Sequence, residues 1–400
     1  MNQAKNLSPA RLGRMRDVLG GHVARGDVPG LVALVARRGE VHVEALGTAE
    51  TGGGAPIRRD TVFRIASVTK QITAAAAMTM VEECLLRLDD PVDDLLPELA
   101  RPRVLAHPAA PLDDTVPAHR PITVRDLLTL RLGTGAVMAP PGATPIQRAM
   151  DEAGVAPRPG GQSLDPGIWL KRLGELPLVH QPGERWMYDT GMDVLGILMS
   201  RAAGRPLPDL LAERLFEPLG MTDTGFHVPA GRLHRLPFAY RPDPETGTLV
   251  PADDRSRWAS PPVFPSGAGG PGLVSTADDL LAFCTMMLNR GRHRGERILS
   301  RPSVELMTTD QLTAGQKADN AVFFGGNSGW GLGVGVLTRR DDLAAVPGRF
   351  GWDGGTGTSV YTDPAEHLIG ILLTQRAMTS PAPPPWHRDF WTCAYQAIDD

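Results

Sequence analysis

The sequence FRIASVTKQITAAAAMTM, residues 63–80, places a serine and a lysine three positions apart at the start of an apolar segment. Alanine and methionine dominate residues 74–80, and both are strong helix formers, so the stretch predicts a short loop that runs into a helix. Residues three apart share one helix face. We therefore expect Ser67 and Lys70 to lie side by side, with Ser67 in the first turn, where backbone N–H groups are free.

This pair suits nucleophilic catalysis, because a hydroxyl becomes an effective nucleophile when a neighbouring base takes its proton. Lys70 can be that base only if burial or a nearby cation lowers its pKa from about 10.4 towards neutrality. The alternative is a serine that caps the helix and a lysine on a solvated face. This motif alone does not distinguish the two interpretations, so the other motifs of the chain are needed.

The composition is typical of a globular protein with one large or two medium domains. Of 400 residues, 42% are hydrophobic and 22% are charged, so disorder is not expected. The net charge of −4 gives no indication of a nucleic-acid or anionic-membrane partner. The cysteines, Cys84, Cys284 and Cys393, are far apart and odd in number, so they predict neither a disulfide framework nor a cysteine-based metal site.

No targeting or membrane signal is visible in the sequence. Residues 1–8 lack the apolar core of a signal peptide, and no segment reaches the roughly 18 apolar residues that span a bilayer. We therefore expect a cytoplasmic protein.

Hydrophobic periodicity and turn residues predict the order of the elements. Strands are predicted at 31–36, 41–46, 332–337, 359–362 and 367–373. Helices are predicted at 8–25, from Thr123 onward, and at 147–153, 168–173, 192–203, 207–215, 275–288 and 390–398. The segments 105–121, 136–167 and 228–266 are rich in glycine and proline or lack periodicity, which predicts mostly irregular structure.

This order predicts an α/β (α+β) fold, in which one antiparallel sheet is built from both chain ends and is flanked by helices. A mostly helical domain is inserted between the two ends. The predicted sheet domain comprises residues 1–75 and 266–400, and the helical domain comprises residues 76–265.

Two further motifs follow the serine–lysine pair. The sequence Tyr188-Asp189-Thr190 comes after a Pro-Gly turn, and GWDGGTG occupies residues 351–357. Together with Ser67-x-x-Lys70, these motifs resemble those of the serine β-lactamase and penicillin-binding-protein superfamily. Within it, the chain is most similar to the family VIII carboxylesterases, which are class C β-lactamase-like. The resemblance covers about residues 29–374 and implies a β-lactamase-like fold.

The resemblance implies a role for each motif. Ser67 attacks a carbonyl carbon and forms an acyl-serine intermediate, while Lys70 and Tyr188 move protons between Ser67 and the leaving group. The backbone N–H groups of Ser67 and Gly355 form the oxyanion hole. Neither a metal nor a cofactor is implied.

The chain departs from the family pattern at two positions that are expected to contact substrate. Trp352 and Asp353 stand where lactamases and peptidases place a cation, which disfavours an anionic substrate and suits an apolar or neutral ester. Thr190 replaces an asparagine of the Tyr-x-Asn motif, which removes an amide. Both changes disfavour turnover of a β-lactam, and the Trp352-Asp353 pair favours hydrolysis of a small-molecule carboxylic ester.

Other functions stay open at this point. A β-lactamase or a D-amino-acid peptidase of the same fold is one alternative, in which Asp353 would hold a substrate ammonium. A ligand-binding module that keeps the fold without turnover is another. The segment GAGGPG, residues 267–272, predicts a turn rather than a nucleotide site, since no clear strand precedes it. The histidines, His387 among them, show no metal spacing and are predicted to be surface or loop residues.

Overall fold

Both ends of the chain meet in one antiparallel sheet of the computed structural model, which describes residues 6–158, 160–270 and 272–400. The strands are β1 Gly30–Arg37, β2 Glu40–Glu50, β3 Gly53–Pro56, β4 Phe63–Arg64, β5 Arg103–Leu105, β6 Thr115–Pro117, β7 Tyr240–Pro242, β8 Leu249–Pro251, β9 Val274–Ser275, β10 Arg292–His293, β11 Glu296–Arg297, β12 Ser328–Trp330, β13 Gly335–Leu337, β14 Phe350–Gly354, β15 Thr358–Asp363 and β16 Leu368–Thr374. The main sheet has the order β12-β13-β14-β15-β16-β1-β2-β3, and the other strands form two-stranded ribbons.

Helices cover both faces of this sheet and fill the middle of the chain. They are α1 Pro9–Ala24, α2 Thr69–Glu82, α3 Val124–Leu128, α4 Pro145–Ala153, α5 Pro166–Glu175, α6 Thr190–Ala203, α7 Leu207–Leu211, α8 Glu217–Leu219, α9 Ala277–Leu288, α10 Arg301–Met307, α11 Ala314–Ala318, α12 Ala321–Phe324 and α13 Pro385–Gln396. A π-helical turn, Ala212–Phe216, joins α7 to α8. Thr123, Asp165 and Thr276 cap α3, α5 and α9 with side-chain oxygens, which explains where these helices begin.

The interior strand β1 is buried on both faces, as its apolar sequence GLVALVAR requires. Leu31 and Val35 face α1 and α13, whereas Val32 and Leu34 belong to the larger core beneath the helical region. The register places Leu34 opposite Ile371 of β16, so the first and last strands share the same apolar layer. The short 3-10 turn Ala66–Val68 contacts β14 and β15 of the sheet. The fold thereby holds the serine–lysine stretch against the GWDGGTG strand.

The structure confirms the predicted antiparallel sheet built from both chain ends and the flanking helices. The structure differs from the local predictions in three places. The segment 105–121 was expected to be a loop but contains β6, which pairs with β5, and 228–266 contains the ribbon β7–β8. The strand expected at 332–337 begins only at Gly335. Short ribbons pair through a few residues and carry little periodicity, so the pattern does not reveal them.

The division into two domains stays a prediction, and its first boundary, between 75 and 76, falls inside α2. Across residues 6–158, 160–270 and 272–400, none of the helices is long and apolar enough to cross a membrane.

Candidate active site

Ser67 and Lys70 lie side by side, as their spacing predicts. Ser67 sits in the 3-10 turn that precedes α2, and its Oγ accepts a hydrogen bond of 3.0 Å from Lys70 Nζ. The turn is tight because Ala66 has a φ of +43°, a conformation that an alanine rarely adopts. Gly269 packs against this turn, and a Cβ at Gly269 would lie 2.2 Å from the Ala66 carbonyl oxygen. Only glycine therefore allows the two chain segments to approach this closely.

Lys70 is fully buried, and its three N–H groups are all used. Besides Ser67, they donate to Asp189 Oδ1 at 2.7 Å and to the carbonyl oxygen of Ala268. Burial alone would lower the pKa of Lys70, but the Asp189 carboxylate and the Tyr188 oxygen outweigh it, so the pKa lies above the ordinary 10.5. The condition stated for Lys70 to act as a base, a pKa lowered by burial or by a cation, is therefore not met. A carboxylate, not a cation, stands next to the amine and keeps it protonated.

A second carboxyl group lies behind the first. Asp193, one helical turn after Asp189, is buried, and its Oδ1 accepts hydrogen bonds from Ser266 Oγ at 2.7 Å and from the N–H of Ala268 at 3.1 Å. Burial and the nearby Asp189 charge raise the pKa of Asp193 from 3.8 to about 7. Asp193 thus fixes the loop whose Ala268 carbonyl oxygen contacts Lys70.

Tyr188 stands between the lysine and the GWDGGTG strand. Lys70 Nζ lies 4.3 Å from the centre of the Tyr188 ring. The Tyr188 oxygen accepts a hydrogen bond of 2.8 Å from Trp352 Nε1, and an indole N–H can only donate. A Cβ at Gly335 would lie 2.6 Å from the Trp352 ring, so the glycine of β13 gives the indole its space. The Tyr188 oxygen therefore accepts from the indole, and the Lys70 ammonium lies close to the Tyr188 ring.

Asp189 connects these groups through an unusual backbone. Its φ of +87° and ψ of −71° place it outside the regions that non-glycine residues favour. It is the N-cap of α6, and the main chain before it is held by a hydrogen bond from Ala136 N–H to the Tyr188 carbonyl oxygen at 2.8 Å. Backbone strain of this kind persists where surrounding contacts determine it, and it clusters at functional sites. Here the strained residue carries the carboxylate that pairs with Lys70.

A cavity of about 720 Å³ opens onto Ser67 and Tyr188. Trp352, Asp353 and Gly355 line it from β14 and the turn after it. Its opposite wall includes Met138 and Val322, large apolar side chains that are more than half exposed. Sites that bind small molecules usually combine such apolar walls with a few polar groups.

The structure thus brings together most of the residues that the sequence singled out. Ser67, Tyr188, Trp352, Asp353 and Gly355 line one cavity, with Lys70 directly beneath Ser67. Thr190 does not fit this picture, because its side chain is 1% exposed and lies outside the cavity wall. It begins α6, where the geometry points its side chain into the core.

Sequence reasoning missed four residues of the site. Asp189 pairs with Lys70, Asp193 accepts from the N–H of Ala268, and the Ala268 carbonyl oxygen accepts from Lys70. His387 lines the cavity, although the sequence predicts it at the surface or in a loop. The spacing of Asp189 and Asp193, four apart at the start of a helix, was a visible signal for two acids on one face. No sequence signal places Ala268 or His387, since both approach the site only through tertiary packing.

Comparison with known proteins gives a consistent family assignment. Residues 15–389 match the family described as Beta-lactamase. Protein Rv1367c of Mycobacterium tuberculosis (strain ATCC 25618 / H37Rv) is 41% identical over 368 residues, which cover 88% of this chain and 86% of that protein. Esterase EstB of Burkholderia gladioli is 34% identical over 366 residues, which cover 87% of this chain and 86% of EstB.

The solved structures agree with the sequence relatives. EstCE1, described as a hydrolase with promiscuous acyltransferase activity, is 27% identical in sequence and superposes with a TM-score of 0.78. The alignment covers 96% of this chain and 99% of EstCE1.

Proposed function

This chain belongs to the beta-lactamase family, and on that premise we propose that it is a serine hydrolase that cleaves small carboxylic esters through an acyl-serine intermediate. The observation that carries the proposal is the contact between Ser67 Oγ and the buried Lys70 ammonium, 3.0 Å apart at the floor of a largely apolar cavity. A buried cation that donates to a serine oxygen suits a site where negative charge develops on that oxygen.

The proton of Ser67 needs an acceptor, and Lys70 does not provide one because it already carries its proton. Tyr188 is the remaining candidate base. In this role Tyr188 acts through its phenolate oxygen, which accepts a hydrogen bond of 2.8 Å from Trp352 Nε1, while the proton of Lys70 stays in place. Ser67 Oγ attacks the ester carbonyl carbon while its proton moves to Tyr188.

The rest of the cycle returns that proton. The carbonyl oxygen becomes an oxyanion, which the N–H groups of Ser67 and Gly355 bind as hydrogen-bond donors. Collapse of the tetrahedral intermediate breaks the ester C–O bond, and Tyr188 gives its proton to the leaving alkoxide. Water then attacks the acyl-serine, Tyr188 again takes a proton, and the acid leaves as Ser67 Oγ is reprotonated.

The position of Trp352 and Asp353 favours an ester over an anionic β-lactam. Asp353 adds a carboxylate to the lining of the cavity that contains Ser67, and its charge disfavours an anionic substrate. Two arginines also line the cavity, but Arg349 lies against the rings of Tyr361 and Trp391, and Arg388 is exposed on α13. The apolar rim at Met138 and Val322 suits an aliphatic acyl or alcohol group.

The test compares three substrate classes in wild type and two serine variants. We expect hydrolysis of p-nitrophenyl butyrate and octanoate, little turnover of nitrocefin, and little turnover of D-alanine p-nitroanilide. Ser67→Ala should lower ester turnover on the order of 10³-fold or more. Ser328→Ala removes another hydroxyl from the cavity wall and serves as the matched control.

Each alternative function predicts a different outcome of this experiment. Faster turnover of nitrocefin or of the anilide than of the esters would replace the esterase proposal with a lactamase or a peptidase. A binding module would turn over none of the substrates and would not be labelled by a fluorophosphonate probe. An acyl-serine intermediate predicts instead that the probe adds its mass to wild type and to Ser328→Ala, but not to Ser67→Ala.

A further inference from the structure

The cavity has a second polar region on the far side of β14, which the reaction described above does not use. Trp352 and Asp353 are neighbours in this strand, so their side chains leave opposite faces of the sheet. Trp352 contacts Tyr188, whereas Asp353 faces His387 of α13. Asp353, His387 and Tyr361 all line the cavity that contains Ser67.

His387 presents an unused acceptor to this region. Its side chain is fully buried, and Nε2 lies 3.1 Å from the carbonyl oxygen of Gly357. A carbonyl oxygen can only accept, so Nε2 carries the hydrogen. Burial lowers the pKa of His387, which keeps the ring neutral and leaves a lone pair on Nδ1. Among residues 6–158, 160–270 and 272–400, this Nδ1 has no hydrogen-bond partner.

Asp353 presents a second unused acceptor to the same space. Its Oδ1 is buried, lies 3.9 Å from His387 Nδ1, and has no hydrogen-bond partner in the described part of the chain. Arg349 does not neutralise it: the guanidinium stacks 3.8 Å from the centre of the Trp391 ring, donates to the Ala344 carbonyl oxygen, and forms no ion pair within the described residues. The two acceptor atoms, Asp353 Oδ1 and His387 Nδ1, thus face each other, and the Tyr361 hydroxyl lies next to the same carboxylate.

We propose that Asp353 and His387 bind an ammonium group that the ester substrate carries in its acyl or alcohol part. A ligand nitrogen placed about 2.8 Å from both acceptors, an ordinary hydrogen-bond distance, would make an acceptor–nitrogen–acceptor angle of about 90°. This angle is close to the one between two N–H bonds of an ammonium group. A charged donor also compensates the Asp353 carboxylate, whose partial burial without an ion pair is costly. The inference deepens the proposed esterase function and rests on it for the substrate.

The test uses isosteric esters that differ only at the end of the acyl chain: p-nitrophenyl heptanoate, 6-hydroxyhexanoate and 6-aminohexanoate. The measured quantity is the ratio of kcat/KM for the amino ester to kcat/KM for heptanoate. Asp353→Asn should lower this ratio at least tenfold, since a hydrogen bond to a charged group is lost. His387→Gln keeps a donor for Gly357 but lacks the Nδ1 acceptor, and it should lower the ratio about threefold. Asp342→Asn, an exposed acid at the edge of the same cavity, is the matched control and should leave the ratio unchanged.

A second measurement does not depend on turnover. Calorimetric titration with hexylammonium chloride should give binding to wild type and at least tenfold weaker binding to Asp353→Asn, with 1-hexanol as the neutral reference. The proposal would be overturned by equal kcat/KM ratios in wild type and Asp353→Asn, or by equal affinity of both proteins for hexylammonium. The region around Asp353 and His387 would then be explained as a polar space that holds water. If wild type does not hydrolyse p-nitrophenyl heptanoate, the esterase function alone is refuted, because the titration still reports on the ammonium site.

Discussion

Replacing Asp189 by asparagine removes the carboxylate that holds Lys70 in its charged form. The two groups are 2.7 Å apart, Lys70 is fully buried, and the Asp189 side chain is 16% exposed. Asparagine is close to aspartate in shape, and the hydrogen bond that holds the main chain before this position, from Ala136 N–H to the Tyr188 carbonyl oxygen, does not involve the carboxylate. The substitution therefore changes charge with little change in packing.

The magnitude follows from the burial of the pair. Removing one partner of a buried ion pair typically costs about 3–5 kcal/mol, because the other charge is left without compensation. Lys70 can escape this cost only by releasing its proton, so the pKa of Lys70 falls in the variant. We expect Asp189→Asn to be about 3 kcal/mol less stable than wild type at pH 5 and to recover part of that loss at pH 9, where the amine is neutral.

Lysine NMR gives a direct assay, because the chain contains only Lys5, Lys70, Lys171 and Lys317. With lysine labelled at Cε and Nζ, the Lys70 signal is assigned from its absence in Lys70→Met. In wild type the signal should keep its ammonium position up to the ordinary lysine pKa of 10.5, since the pKa is raised. In Asp189→Asn it should move to the amine position at a lower pH, while the other lysine signals stay in place.

Two results would refute this reasoning. The first is a Lys70 signal that keeps its ammonium position over the same pH range in both proteins. The second is a free energy of unfolding at pH 5 that differs by less than about 1 kcal/mol between them. Either would mean that Asp189 does not set the charge of Lys70, and Lys70 would again be available as the base for Ser67.

Three further predictions concern stability, catalysis and packing. The raised pKa of Asp193 means that its protonated form contributes stability that is fully present below pH about 4 and is lost as the pH rises to about 7. In urea unfolding, the free energy of unfolding of Asp193→Asn should therefore rise by up to about 4 kcal/mol relative to that of wild type over this pH range. Trp352→Phe removes the N–H donor to Tyr188 and keeps an aromatic ring, so kcat for p-nitrophenyl butyrate should fall about 10- to 100-fold with a smaller change in KM. Gly269→Ala should abolish ester hydrolysis and lower Tm. Gly13 is a helical position with open space, so Gly13→Ala should raise the free energy of unfolding by about 0.5–1 kcal/mol.

Each of these predictions has an outcome that contradicts it. An Asp193→Asn stability that follows wild type at every pH would show that Asp193 is ionised in the folded state. Trp352→Phe with unchanged kcat would remove the indole from the proposed chemistry. Full activity in Gly269→Ala would mean that the loop can withdraw from the Ser67 turn without consequence.

The β-lactamase-like fold was implied by the resemblance of the motifs to a known family. The sequence by itself determined the serine–lysine pair and the strands at both chain ends. These features are local: Ser67 and Lys70 are one helical turn apart, and β1 and β16 are short apolar runs bounded by turn residues. Local periodicity reports which face of an element is buried, and burial of those faces leaves few possible arrangements of the elements. Thr190 is the exception among the expected site residues, since a motif position does not reveal whether a side chain turns to the cavity or to the core.

Only the tertiary structure decided the electrostatics of the site. Asp189 and Ala268 lie 119 and 198 residues from Lys70 in sequence, and both converge on its Nζ. Whether the pKa of a buried lysine rises or falls depends on the balance between desolvation and the charges within a few ångströms, which the sequence alone does not fix. The same holds for Asp353 and His387, whose unpartnered atoms face each other only because α13 packs against the sheet next to β14.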